Sequence, residues 1–363
     1  MTPTISIRNA TKQSINQEKN MTTRRKLLQA TGGTLTAALA APFIALPARA
    51  QVTRLRMQTF LGPGTSVTAG FEQFAAELKA QTNGAIDIVT LPLGAVVPAN
   101  DTLDAVRNGT LDGHYTSPPY FSGKDPGFAV LGDTLSAYPD PVVRDRWFTE
   151  GGGLALAREL YARHGLFYVG PVYWPPEWMP MRKQINRLDD FKGTKLRMPE
   201  GLAGDLMKRI GVSIVTLPFP EVANSLQTGV LDGADLAGMS INISTGIHAT
   251  AKYAVFARHS MPTTEVSVSE ARWKTISPEN QKKFIDGVAD FSAKQRKVFT
   301  DAEKEAVEKA KQMGITMTEL PPEDQAKFRG LTVAVWDDWA KKNSITGKMV
   351  ESHRAFLRKN NLL

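Results

Sequence analysis

Side chains able to do chemistry are sparse in this 363-residue chain. Cysteine is absent, which removes disulfides, thiolate nucleophiles and zinc–thiolate sites together. Five histidines (His114, His164, His248, His259 and His353) are scattered, with no i, i+4 pair to present a metal from one helix face. A lone histidine in such a pattern is more often structural or solvent-facing than ligating. Gly62-Pro63-Gly64 opens like a dinucleotide loop, but Val67 stands where the third glycine is needed. No GxxxxGK[ST] loop, HExxH helix or GxSxG elbow is present. Asp112 and Asp232 occupy equivalent places in two similar stretches, which favours a structural role at a turn over an acid–base pair. What remains is charge chemistry: arginines on strands and carboxylates at turns. Nothing here asks for an enzyme.

Those two similar stretches are the main organising feature. Ile88-Val89-Thr90-Leu91-Pro92 returns as Ile214-Val215-Thr216-Leu217-Pro218. Each copy precedes a short helical stretch ending in Leu-Asp-Gly, residues 103–113 and 223–233. Each also follows a related strand, Thr53-Arg54-Leu55-Arg56-Met57 and Thr194-Lys195-Leu196-Arg197-Met198. The offsets drift from 141 to 126 to 120, so this is a duplication with altered loops and not a solenoid. Two α/β units in one chain imply two facing lobes with a cleft between them. Arg56 and Arg197 hold the same place in the two copies.

The elements that must position these residues follow from periodicity. Leu55 to Phe60 alternates as a strand, and Phe71, Phe74, Ala75 and Leu78 recur at helical spacing up to Asn83-Gly84. Ile86 to Leu91 reads as a buried strand, Asp101 as the cap of the helix holding Leu103 and Val106, and Thr110-Leu111 as the next strand. The second unit repeats this with strand 196–198, helix 202–210, strand 212–217, helix 221–227 and strand 230–231. Alternating strands and helices argue for largely parallel sheets, which bind ligands at the carboxyl ends of their strands. Beyond them the chain is mostly helical. Ser277-Pro278-Glu279 starts one helix, a further one reaches Met313-Gly314, Ile315–Leu320 reads as a strand, Pro321-Pro322-Glu323 opens another helix, and 347–360 is amphipathic. The mixed charges between Asp301 and Lys311 read as a solvated face.

Residues 1–50 stand apart from this fold. Thr23-Arg24-Arg25-Lys26-Leu27-Leu28 is a twin-arginine pattern, a mildly apolar run follows, and Ala48-Arg49-Ala50 is a cleavage site. A membrane anchor is disfavoured because Gln29, Thr31, Gly32, Gly33 and Pro42 dilute a run that would need roughly 20 apolar residues. Met21 is an alternative start to Met1. The segment carries seven Lys/Arg and one acid, so the formal +8 of the chain falls to +2 for the 37 bases and 35 acids beyond it. Nucleic-acid binding, which wants a dense basic face, loses its support. The 313 remaining residues are enough to bury a core without staples.

The export signal, Lys192-Gly193-Thr194-Lys195-Leu196-Arg197-Met198-Pro199 and the segment from Phe219 to Gly233 together resemble the substrate-binding proteins of TRAP transporters, the DctP type. Gly113-His114-Tyr115, Tyr120 to Pro126 and Arg182 to Asn186 are most similar to the subgroup that binds 2-oxo and hydroxy monocarboxylates. The resemblance implies a two-lobed, type II-like periplasmic-binding-protein fold, with mixed, mostly parallel sheets, helices on both faces and a helical C-terminal region. Its expected divisions are a signal over 1–50, lobe 1 over 51–172, lobe 2 over 173–265, and 266–363 returning to lobe 1 with the C-terminal helices. It implies capture of a small carboxylate and delivery to a membrane permease, without catalysis, after twin-arginine export to the periplasm. Arg197 is then the main salt bridge to the ligand, and a planar guanidinium suits a carboxylate. Tyr120 and Trp174 are implied as aromatic walls. Asp235-Leu236 falls where the subgroup has Glu-Trp, and Glu177 lies near a polar position there, so both acids and Leu236 enter the expected ligand set.

The same resemblance brings a cation into question. Asp235 and Glu177 are its implied holders, but the subgroup's Gly-Trp-x-Glu region is replaced by His259-Ser260-Met261-Pro262-Thr263-Thr264, and a hard cation needs several oxygens. No organic cofactor is implied. A homodimer through the residues after Ser344 is an expectation from some relatives. A secreted enzyme or a sensor-coupled binding module on the same scaffold is the alternative reading.

Overall fold

The computed structural model describes residues 52–199, 201–217 and 221–363; the expected export signal, 1–50, lies outside them. Eleven strands follow in order: β1 (Thr53–Thr59), β2 (Ile86–Leu91), β3 (Gly113–Thr116), β4 (Leu166–Val172), β5 (Met179–Met181), β6 (Lys195–Arg197), β7 (Ser213–Val215), β8 (Gly233–Ala234), β9 (Tyr253–Phe256), β10 (Thr264–Ser269) and β11 (Thr316–Glu319). They form two sheets, ordered β2-β1-β3-β10-β4 and β11-β9-β5-β8-β6-β7. The β1 pairings with β2 and β3 are parallel, as are those of β6 with β7 and β8 and of β11 with β9. In each sheet one strand, β10 or β5, runs antiparallel to both neighbours. The expected two-lobed, mixed and mostly parallel architecture is what forms.

The antiparallel strands mark where the chain changes sheets. It leaves the first sheet after β4 through Tyr173–Trp178, and it returns after β9 through residues 257–263 to enter β10. A third passage is the helix Pro278–Gln312, one uninterrupted rod of 35 residues where two helices were expected. At 1.5 Å per residue it is about 52 Å long. Phe284, Val288 and Phe291 pack it on the first lobe, and Ala306 and Ala310 on the second. Thr316–Glu319 then pairs with Tyr253–Phe256 in the second sheet. Within 266–363, β11 thus joins the second sheet and not the first. Its half-buried central residues, Met317 and Thr318, help complete an edge that β9 leaves open.

Several boundaries shift for local reasons. Thr110-Leu111 and Val230-Leu231 are turns, and the strands begin two or three residues later, at Gly113 and Gly233, after the Asp of each Leu-Asp-Gly has bonded back to the neighbouring strand. Asp112 accepts from Arg56 N at 2.8 Å, and Asp232 accepts from Lys195 N at 2.8 Å. These are the turn roles expected of the pair. They also differ in register by two positions, since Met57 pairs with Gly113 whereas Leu196 pairs with Gly233.

Besides its packing, the long helix is tied to the second lobe by a half-buried carboxylate. Glu303 accepts from Met239 N at 2.8 Å and Ser240 N at 3.0 Å, and also from the Ser240 hydroxyl. It thereby caps the helix Met239–Ser244, whose own N-cap residue, Gly238, has no side chain to do so. A Cβ on Gly238 would lie 2.4 Å from Glu303 Oε1, so the close approach needs glycine. Glu303→Ala strands three donors, and we expect a loss of about 2–3 kcal/mol in denaturant unfolding, with Glu303→Gln recovering part. A loss below about 0.5 kcal/mol would show that solvent replaces the cap.

Candidate carboxylate-binding cleft

A cleft of about 490 Å³ opens between the sheets, in the size range of small-molecule sites. Phe60, Leu93, Pro98, Pro119 and Leu217 give it apolar walls, and Tyr120 and Arg197 line it with them. Gln58, fully buried on β1, shapes one side: its Nε2 donates to Val97 O at 2.8 Å and its Oε1 accepts from Val96 N at 3.0 Å. A single interior amide thus fixes the loop after β2.

Arg197 reaches this cleft because β6 is short. Pro199 cannot donate to a ladder, so the strand ends at Arg197, whereas β1 runs on past Arg56 to Thr59. Arg56 is consequently a mid-strand residue with a half-exposed side chain, bonded to Thr110 O at 2.6 Å and 3.5 Å from Asp112. The Arg197 residue is only 6 % exposed. Its Nε donates to Leu217 O at 3.1 Å and its Nη1 to Asp235 O at 2.6 Å, while Asp235 N donates to Arg197 O at 2.8 Å. These bonds hold the guanidinium on the cleft wall, beside the Tyr120 hydroxyl, whose pKa burial raises against the pull of the Arg197 charge.

Behind Arg197 lies a polar cluster closed off from the cleft by burial. Asp235, Glu177 and His259 are 1 %, 6 % and 0 % exposed, and their ligating atoms all lie within 4.8 Å of one another. Burial is the first cause of every shift here. It raises Asp235 to about 6, it raises Glu177 far above the ordinary carboxyl range with help from Asp235, and it lowers His259. Burial thus favours a protonated Glu177 and an uncharged His259, whose Nε2 lies 2.7 Å from Asp235 Oδ1. Asp133, also raised to about 6 by burial, holds the second sheet crossing by accepting from Ser260 Oγ at 2.8 Å and Met261 N at 3.0 Å. Arg258 has φ +54°, a strained left-handed turn immediately before His259.

The sequence-predicted residues thus fall into two groups. Arg197 and Tyr120 share the cleft wall. Glu177 and Asp235 sit behind it, and Trp174 links the two by donating its Nε1–H to Glu177 Oε1 at 3.2 Å and packing 5.4 Å from Phe60. Leu236 is not among the described residues lining the cleft; its side chain is buried in the apolar cluster that also holds Leu226, Leu231 and Phe299. Residues that sequence reasoning missed are Phe60, Gln58, Asp133 and above all His259. The replaced Gly-Trp-x-Glu segment was the available signal for His259, since it marked a departure at this position.

The donor set answers whether a cation fits. Two carboxylates and an imidazole in one buried cluster are a chemically reasonable partial shell for a divalent ion, with Glu177, Asp235 and His259 as its holders. Asp133 stands close enough to influence both Asp235 and His259 electrostatically.

Comparison with known proteins places the whole architecture. A monocarboxylate 2-oxoacid-binding periplasmic protein of Nostoc sp. is 26 % identical over 308 residues, covering 84 % of each chain. A TRAP periplasmic solute-binding protein from Rhodobacter sphaeroides, in an apo open structure, is 32 % identical with a TM-score of 0.70, over 85 % of this chain and 99 % of that one. One from Pseudoalteromonas atlantica, solved with bound sodium and pyruvate, shares the fold at 21 % identity and a TM-score of 0.77, over 86 % of this chain and 95 % of that one. Residues 57–343 match the model of bacterial extracellular solute-binding protein family 7, DctP, and the chain belongs to that family.

Proposed function

We propose that this protein is the periplasmic receptor of a TRAP transporter, exported by the twin-arginine pathway, that binds a small organic acid between its lobes and delivers it to the membrane permease. The observation that carries the ligand class is Arg197, a guanidinium held by two carbonyls at the mouth of an apolar cleft. A carboxylate there gains charge-assisted bonds in a site that excludes much of the water. The sheet crossings at 173–178 and 257–263 bend to close one lobe on the other. A cation held by Glu177, Asp235 and His259 would add positive charge behind Arg197. The Nostoc and Pseudoalteromonas relatives, named for 2-oxo acids and pyruvate, support 2-oxo or hydroxy acids as the first ligands to try.

The test is a thermal-shift screen of organic acids on the purified protein. An acid at 100 times its dissociation constant adds roughly 2.7 kcal/mol to stability. A screen in which no carboxylate raises the melting temperature, or in which an acid is turned over, would overturn the reading. The cation is tested alongside. Chelator-dialysed protein should show a smaller ligand shift, by about tenfold in affinity, restored by calcium. An unchanged shift means that the buried acids and His259 act without an ion.

A further inference from the structure

Asp101 has no structural employment that the fold can account for. Its place before the helix Thr102–Arg107 predicts a cap, yet it makes no capping bond. The reason is in the backbone. The turn Ala99–Asp101 runs straight into the helix, so Asp101 has φ −101° and ψ −4° where a capping residue is extended. Its carboxylate therefore cannot fold back on the first helical N–H groups, and Thr102 Oγ1 bonds to Ala99 O instead. Among the described residues no hydrogen bond or ion pair uses the Asp101 side chain, which is exposed and lines the same cleft as Arg197. Among the described residues lining it, Arg197 is the one cation.

The two charges come from opposite sides. Asp101 belongs to the connection between β2 and β3 of the first sheet, and Arg197 to β6 of the second. Phe60, Leu93, Pro98 and Leu217 line the same cleft and offer no polar partner through their side chains. Asn100 and Thr216 add neutral polar groups to the rim. Such a cleft carries one cation from the second sheet's side and one anion from the first sheet's side, on otherwise neutral walls.

We propose that Asp101 sets specificity at the end of the ligand remote from Arg197, selecting carboxylates that carry a hydrogen-bond donor there, a hydroxyl or an ammonium, and rejecting dicarboxylates. The inference rests on Arg197 as the carboxylate clasp. A second ligand carboxylate near Asp101 would meet a like charge in a partly desolvated cleft, whereas a donor would give the unpaired carboxylate a bond to a charged group, the stronger kind.

Titration calorimetry with matched acids of four to six carbons tests this, the far end being methyl, hydroxyl, ammonium or carboxylate. In the unaltered protein the hydroxyl or ammonium acids should bind at least tenfold more tightly than the matching dicarboxylates. Asp101→Asn should shrink that ratio by about tenfold, and Asp101→Lys should reverse it. An ammonium preference that Asp101→Asn abolishes while sparing the hydroxyl acids identifies charge as the selector; equal loss for both identifies the hydrogen bond. The inference is overturned if the unaltered protein prefers dicarboxylates, or if both variants keep the original ratio. Arg197→Ala separates the two levels. If it abolishes binding of every acid while Asp101 variants change nothing, the specificity role fails alone; if it leaves binding intact, the clasp fails as well.

Discussion

Arg197→Ala should abolish ligand-induced stabilisation of this protein while costing the unliganded fold about 1–3 kcal/mol. Truncating one partner of a desolvated charge pair typically costs 2–5 kcal/mol, a loss of roughly 30-fold to several thousandfold in affinity. The unliganded protein loses two bonds to carbonyl oxygens, Leu217 O and Asp235 O, the second of them buried, and with them the cation beside Asp235. Thermal shift at saturating acid, read beside the unliganded melting temperature, separates the effects. Arg197→Lys should recover little, because an ammonium cannot hold both carbonyls and present a planar fork to the ligand. Retention of the full ligand shift in Arg197→Ala would show that the carboxylate is held elsewhere. Arg56→Ala is the matched control, since Arg56 satisfies Thr110 O and Asp112 on the outside of the first sheet and should leave affinity unchanged.

Acid should destabilise the protein through His353, an interior residue far in function from the cleft. His353 is fully buried, accepts from or donates to Tyr138 Oη at 2.8 Å through Nδ1, and stacks on Trp147 at 3.7 Å. Burial lowers it to about 3, with the nearby Arg144 charge acting in the same direction. In the unfolded chain the imidazole takes up a proton near pH 6.5. Between these two values the unfolded state binds the extra proton, so stability falls as pH drops from about 6.5 towards 3. The slope approaches 1.4 kcal/mol per pH unit, on the order of 4–5 kcal/mol in all. Asp133 and Asp235, raised to about 6, work oppositely between about 4 and 6 because the folded state binds their protons first. The difference between the unaltered protein and His353→Asn cancels their contribution. Asn keeps an acceptor for Tyr138 but loses the stack, so the variant should be weaker at pH 7 and converge on the unaltered protein as pH falls. A difference that stays constant from pH 7 to 4 would sink the assignment.

Much of this molecule is legible in its residue order because the duplicated blocks carry their own strand, turn and helix punctuation. The Leu-Asp-Gly turns, the helix over Phe71, Phe74 and Leu78, and the start at Ser277-Pro278 all form as local chemistry dictates. Arg197 could be singled out from its twin because its motif context differs. What could not be read is long-range. Strand β11 joins a sheet whose other members lie more than 50 residues away, and no local pattern names its partner. His259 looked isolated because its neighbours in space, Asp235 and Glu177, lie 24 and 82 residues off in the chain. Asp101 carries a cap's residue type, but the preceding turn sets its backbone, so propensity alone assigned it the wrong task. Leu236 was carried over from a position where relatives have an aromatic, and a smaller apolar side chain there simply withdraws into the core.

The rod from Pro278 to Gln312 has a bearing on how the two lobes share their fate. Its first half is buried against one lobe and its second half against the other, and one apolar cluster contains both Leu160 from the first and Leu196, Met198 and Met207 from the second. Melting either lobe alone would strip the covering from this shared core and leave half of a continuous helix without support. Cooperativity is therefore built across the cleft, and the lobes are free to swing but not to come undone one at a time.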